Sequence, residues 1–166
     1  METSTPTLSL PEKALRKFFH FMNHFMVWMW KMGWGEWINF WPEGMGRIMV
    51  IKHRGRKSGK EYLTPVNYAV VDGEVYCTAG FGSISDWYRN MLVNPQVELW
   101  LPDGKRAVCA EDISNSPERL SLLRQVLIAA GFAASTFGGI NPRKMSDEEI
   151  DRATKEYRLV HFASQK

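Results

Sequence analysis

From Pro11 to Met32 the apolar positions recur at helical spacing. Phe18, Met22, Phe25, Met29 and Met32 step by four and three along one face, while Lys13, Lys17, His20, His24 and Lys31 follow the opposite one. Ser9 is a candidate N-cap and Gly33 a stop. From Arg47 onward the period shortens to that of strands. RIMVIKH (47–53) is a short β-branched run, and RGRKSGK (54–60) is a loop. EYLTPVNYAVV (61–71) and EVYCTA (74–79) flank Asp72-Gly73, a strong hairpin signal. QVELWL (96–101) and KRAVCAEDI (105–113) flank Pro102-Asp103-Gly104, and YRLVHFA (157–163) reads as a further strand.

Helices punctuate these strands. Ser85 is placed to cap a short helix carrying Trp87, Tyr88 and Asn90 that stops before Asn94-Pro95. Ser116-Pro117-Glu118 reads as a cap with Pro at the first helical position, opening a helix that ends at Gly131. Ser146 and Glu149 fit a capping box. FAASTFGGINPRKM (132–145), rich in small residues, reads as a loop with a functional role. The pattern predicts an α+β fold: a small barrel of about six mostly antiparallel strands, an N-terminal amphipathic helical segment and flanking helices. One domain is expected over residues 1–166, with the aromatic helical segment at 1–43 and the barrel with its helices at 44–166.

Composition narrows the function classes. At 45% hydrophobic and 23% charged the 166 residues are ordinary for a globular protein, which excludes a disordered or fibrous class. A net charge of +3 is too small for a surface-wide nucleic-acid footprint, so no nucleic-acid partner is expected. Cys77 and Cys109 lack metal-ligand spacing and read as reduced structural thiols, so no metal site is expected. The start, METSTPTLSL, lacks the apolar core of a signal peptide, and the expected location is cytoplasmic, with the inner face of the membrane as a further possibility. Five of seven tryptophans fall between Trp28 and Trp41, yet His20, Asn23, His24, Lys31 and Glu36 interrupt the run, which argues against a membrane span. Two readings stay open for the aromatic face of this helix: packing on the rest of the domain, or peripheral contact with lipid. The oligomeric state stays open as well.

The steepest charge gradient lies at Arg47, Lys52, Arg54, Arg56, Lys57 and Lys60, with His53 among them and no acid interrupting. Within it, RGRKSG offers guanidinium, ammonium and hydroxyl donors around two glycines, a composition suited to an oxyanion. A solvated hairpin loop is the plain alternative. The spacing is not that of a P-loop. Nucleophile motifs such as G-x-S-x-G and H-E-x-x-H are absent. His53 reads as a strand-end bystander and His161 as structural. Tyr68, Tyr88 and Tyr157 are candidate proton donors, with a role as core aromatics as the plainer reading.

The ordered set G-R-K-S-G, P-V-x-Y, the Asp-Gly hairpin and W-Y-R-N-M-L-V-N-P resembles the deazaflavin (F420)-dependent nitroreductase family, strongly over residues 44 to 101 and weakly over the tail. The resemblance implies a split β-barrel, coenzyme F420 and hydride transfer between reduced deazaflavin and a small apolar acceptor such as a quinone or nitroaromatic. It implies that Arg56, Lys57 and Ser58 hold the cofactor's phosphate and acidic tail. It further implies that Thr64 and Pro65 run along the ring, that Thr78, Ala79 and Gly80 lie under it, and that Trp87 and Asn90 close the phosphate side. Tyr62 and Phe81 stand where family members commonly carry cations. Arg54, Lys60 and Arg89 are the candidates to replace them. The alternatives are FMN as the cofactor of the same fold, or a non-enzymatic protein that binds a cofactor or lipid.

Overall fold

The computed structural model describes residues 10–35 and 46–164. Ser9, Trp37 and Trp41 lie outside the described residues. Helix α1 spans Leu10–Lys31. Its end is set by Gly33 at φ +82°, with Gly33 N–H bonded to the Trp30 carbonyl and Trp34 N–H to that of Met29. Six strands follow: β1 (Ile48–Arg54), β2 (Glu61–Val71), β3 (Glu74–Ala79), β4 (Gln96–Leu101), β5 (Gly104–Asp112) and β6 (Arg158–Ser164). Each starts or ends within about one residue of its expected position. They close into a barrel in the order β1-β2-β3-β6-β5-β4, with every pair antiparallel.

Alternation along the strands explains the closure. Met49 and Ile51 of β1, Tyr68 of β2, Cys77 of β3, Leu99 of β4 and Phe162 of β6 point inward and form one core. The opposite face of β2 and β6 is covered by helix α3 (Arg119–Ala129), whose Leu122 and Val126 pack on Ala69 and Leu159. A second face of α3, with Leu123 and Leu127, packs on Ile140 and Ile150. Between β3 and β4 runs α2 (Asp86–Val93), preceded by a 3₁₀ turn at Gly82–Ile84. Ser85 occupies its N-cap without a side-chain capping bond.

Two expectations are corrected. Ser116-Pro117-Glu118 forms a turn, not a first helical turn: Ser116 Oγ accepts from Glu118 N–H at 3.2 Å, and α3 begins only at Arg119. The stretch after α3 is not all loop. Phe132–Gly138 is helix α4, ended by Gly139 in the left-handed region and by the Ile140 amide reaching back to the Ala134 carbonyl. The small residues tolerate a helix, and Gly139 supplies the stop. For α1, where two readings stay open, Met22, Phe25 and Met32 of the apolar stripe are exposed and Met29 is half-buried. Phe21, Phe25, Trp28 and Met32 are exposed along one line, while Asn23, Met26, Val27 and Trp30 on the opposite side are half-buried.

The final helix, α5 (Asp147–Ala153), carries the expected capping box: Ser146 Oγ accepts from Glu149 N–H at 3.2 Å, and Glu149 Oε2 accepts from Ser146 N–H at 2.7 Å. Arg124 of α3 ties the 139–147 stretch down by donating to the Met145 carbonyl at 3.0 Å and to Asp147 Oδ1 at 2.5 Å. Cys77 is buried in the barrel core, where burial pushes its thiol pKa up.

Candidate functional site

The basic turn between β1 and β2 is closed by its own backbone. Gly55 N–H donates to the Lys60 carbonyl at 2.8 Å, and Gly59 N–H to the Gly55 carbonyl at 2.9 Å. Gly55 is needed for packing: a Cβ there would lie 2.6 Å from Ser58 Oγ and 2.7 Å from the Tyr62 ring. Ser58 Oγ accepts from Lys60 N–H at 3.3 Å and shares a hydrogen bond with Tyr62 Oη at 3.1 Å. The turn thus presents Lys57, Ser58 and Lys60 to solvent, with Arg54 exposed beside them. The amides of Lys57 and Ser58 have no acceptor among the described residues.

Arg56 has a different role from its neighbours. Its backbone N–H and its Nη1 both donate to Asn90 Oδ1, at 3.1 and 2.9 Å, and its Nη2 pairs with Asp86 Oδ1 at 3.0 Å. The guanidinium therefore fastens the turn to helix α2. Asn90 is buried and reaches on to His53, with its Nδ2 3.4 Å from His53 Nδ1. His53 Nε2 lies 3.0 Å from Thr64 Oγ1. One polar chain thus runs from Asp86 through Arg56, Asn90 and His53 to Thr64. His53, a strand-end bystander by its sequence position, thus belongs to the polar chain. The signal that could have found it is its inward register, two positions beyond Ile51.

His53 is only 4% exposed, and burial holds its pKa down at about 4. An unfolded histidine takes up a proton below about 6.5, whereas the folded ring stays neutral until about 4. The buried neutral ring's contribution is thus intact above pH 6.5 and lost as the pH falls toward 4. We expect the wild type to lose about 3 kcal/mol more stability than His53→Gln between pH 7 and pH 4, read from urea unfolding at each pH. Equal losses in the two proteins would contradict a buried neutral His53.

The remaining candidates lie apart from the turn. Thr78 and Ala79 end β3, paired with Leu159 and Arg158 of β6. Ala79 faces the barrel core, Thr78 is half-buried and Gly80 is exposed. The Tyr157 ring stands beside Gly80, 3.6 Å from where a Cβ would be, and burial raises its pKa. Pro65 is half-buried on β2 opposite Val50. Trp87 packs against the barrel core and meets Tyr88 edge-on at 6.3 Å. Tyr88 Oη donates to Asp112 Oδ2 at 2.5 Å, and burial followed by that bond pushes its pKa up to about 12. Tyr68 lies inside the core, where burial raises its pKa. Phe81 is exposed. Among the described residues no cluster of His, Cys, Asp and Glu is arranged to hold a metal ion.

The geometry defines a class, a closed antiparallel barrel whose first hairpin turn gathers cations and free donors at one end. Comparison with known proteins narrows the class. The model of the F420H(2)-dependent quinone reductase family matches residues 26–135, and the chain belongs to that family. Rv3178 of Mycobacterium tuberculosis, named for F420H(2)-dependent quinone reductase activity, is 32% identical over 77 residues. That match covers 45% of this chain and 64% of Rv3178, just under two thirds of the relative's length. Among solved structures, an F420-H2 dependent reductase (FDR-A) superposes with a TM-score of 0.50 at 18% identity, covering 69% of this chain and 92% of that one. A heme-binding protein of Mycobacterium smegmatis reaches 0.51 at 14% identity over 79% of this chain and 50% of its own. At these identities the structural likeness concerns the fold alone.

Proposed function

We propose that the chain is an F420-dependent oxidoreductase that passes a hydride between reduced deazaflavin and an apolar acceptor such as a quinone or nitroaromatic. The carrying observation is the turn at residues 54–60. It presents Arg54, Lys57 and Lys60, the Ser58 hydroxyl and two uncommitted amides, and no acidic group. That donor set fits a phosphate and an acidic tail. The reduced ring supplies the hydride, so the protein's task is binding, orientation and exclusion of water. In this reading Lys57, Ser58, Lys60 and Arg54 hold the anionic part, while Arg56 and Asn90 fix the turn against α2. Thr64 and Pro65 line one side of the ring site, and Thr78, Ala79 and Gly80 the other, with Trp87 packed at the phosphate side. In this reading Tyr157, half-buried and kept protonated, gives the proton to the reduced acceptor, a role that Tyr68, enclosed in the core, does not take.

The reading makes a graded expectation. Lys57→Ala removes a charge-assisted bond without touching a packed contact and should weaken F420 binding about tenfold, with thermal stability unchanged. Arg143→Ala, on the exposed stretch before α5, should change affinity less than twofold. Fluorescence titration of F420 checks both, and reoxidation of reduced F420 should require an added quinone or nitroaromatic. Equal losses from both substitutions, or none from either, would reduce the turn to a solvated hairpin. Stoichiometric FMN binding with no F420 binding would favour the flavin alternative.

The exposed line on α1 supports a second element of the proposal, peripheral contact with an anionic lipid surface. Phe21, Phe25, Trp28 and Met32 form an apolar stripe, and Lys17, His20, His24 and Lys31 flank it. Among the described residues no helix is long and apolar enough to cross a membrane. We expect cosedimentation with anionic liposomes at low salt, weakened by added salt and abolished by the double change Phe25→Ser and Trp28→Ser. Protein that stays in the supernatant at low salt would remove this element.

A further inference from the structure

We propose that His53 is a positioning residue: its ring tautomer, dictated by Asn90, turns the Thr64 hydroxyl into a donor for an oxygen acceptor of the bound deazaflavin. The inference rests on the F420 reading for the ligand and on this chain's own geometry for the rest.

Asn90 is oriented by Arg56. One end of its amide receives two N–H groups, from the Arg56 backbone at 3.1 Å and from Nη1 at 2.9 Å, so that end is the carbonyl oxygen. The other end is the NH₂ group, and it faces His53 Nδ1 at 3.4 Å. A ring nitrogen that accepts a hydrogen bond carries no proton. A neutral imidazole must then carry its proton on Nε2. Nε2–H donates to Thr64 Oγ1 at 3.0 Å.

That bond decides what Thr64 can do. Its oxygen already accepts from His53, so the hydroxyl hydrogen points elsewhere, and among the described residues nothing takes it. Thr64 is half-buried on β2, two residues beyond Tyr62 and the basic turn. The Tyr62 ring stacks on His53 at 5.8 Å and 21°, which shields the imidazole and limits it to these two partners. With the opposite tautomer Nε2 would be the acceptor. The Thr64 hydrogen would then turn inward, leaving only lone pairs toward the ligand, where an oxygen acceptor would be repelled. The basic turn and the ring strand are thereby linked through one chain of oriented hydrogen bonds.

Two measurements test this. Nitrogen-15 spectra of the histidine-labelled full chain should show His53 with its proton on Nε2 and unchanged from pH 8 to pH 5; a proton on Nδ1, or a charged ring in that range, overturns the proposal without reference to any ligand. In F420 titrations Thr64→Val and His53→Phe should each weaken binding about tenfold, and the double variant no more than either alone. His53→Gln, which keeps a donor near the Nε2 position, should remain within threefold of wild type. Additive losses, or a His53→Phe protein that binds as wild type does while Thr64→Val is tenfold weaker, would overturn the coupling. A wild type that binds no F420 overturns the ligand named here together with the cofactor reading, and the tautomer spectrum still decides the hydroxyl's polarity.

Discussion

Asn90→Ala is expected to destabilise the protein by about 3 kcal/mol and to weaken F420 binding at the same time. The side chain is 6% exposed and holds three partners: the Arg56 backbone, the Arg56 guanidinium and His53. A single intramolecular hydrogen bond contributes about 1 kcal/mol net, but buried groups left without a partner cost about 1–3 kcal/mol each. Removing Asn90 leaves the Arg56 amide and His53 Nδ1 in that condition. The Asp86 pair remains, yet Asp86 is largely exposed, and such a pair contributes at most about 1 kcal/mol. The turn should then detach from α2 while Lys57, Ser58 and Lys60 stay chemically intact. The distinguishing comparison is with Lys57→Ala, which should lose affinity at constant melting temperature. An Asn90→Ala protein as stable as the wild type, by urea unfolding, would mean that the turn is held by backbone alone.

Gly82→Ala should be a strongly destabilising single methyl addition. Gly82 has φ +59°, and a Cβ there would run into the backbone carbonyl oxygen of Glu156. Two costs combine. A left-handed conformation costs an L-residue roughly 1–2 kcal/mol, and overpacking against atoms that cannot swing away adds about 1–3 kcal/mol. The sum, about 3 kcal/mol, corresponds to a fall in melting temperature of about 10 °C for a chain of this size. Gly73→Ala is the control: its φ is +82°, but no heavy atom lies within 4 Å of the added Cβ. It should show the conformational cost alone, about 1–2 kcal/mol. Similar losses in both proteins would mean that the 80–84 segment moves freely away from the turn before β6. A large gap between them means that the segment joining β3 to α2 is fixed by Glu156. That segment also sets Gly80 beside Tyr157.

The sequence alone was enough for everything that depends on period and on local turn chemistry. Short apolar and β-branched runs bounded by turn signals located all six strands. Asp72-Gly73 marked its hairpin because both residues adopt positive φ, at 52° and 82°. The Ser146–Glu149 box is likewise a local matter, settled within four residues. The cations of the 54–60 turn could be read as one cluster because they are neighbours in the chain. What only the tertiary structure decided is what each side chain meets across the chain. Arg56 and Lys57 are adjacent and equally basic, yet Arg56 is committed to Asp86 and Asn90, thirty and more residues away, and Lys57 is free toward solvent. His53 joins the site because barrel closure sets it against Thr64 and Asn90, a juxtaposition that no local pattern encodes. The exposed stripe of α1 has the same origin. Its helix has apolar residues on more than one face, and periodicity cannot say which of two greasy faces is buried; that is determined by contact with the barrel. Burial and hydrogen bonding between distant segments are properties of the folded chain, and they, not residue type, separate the structural cation from those presented to a ligand.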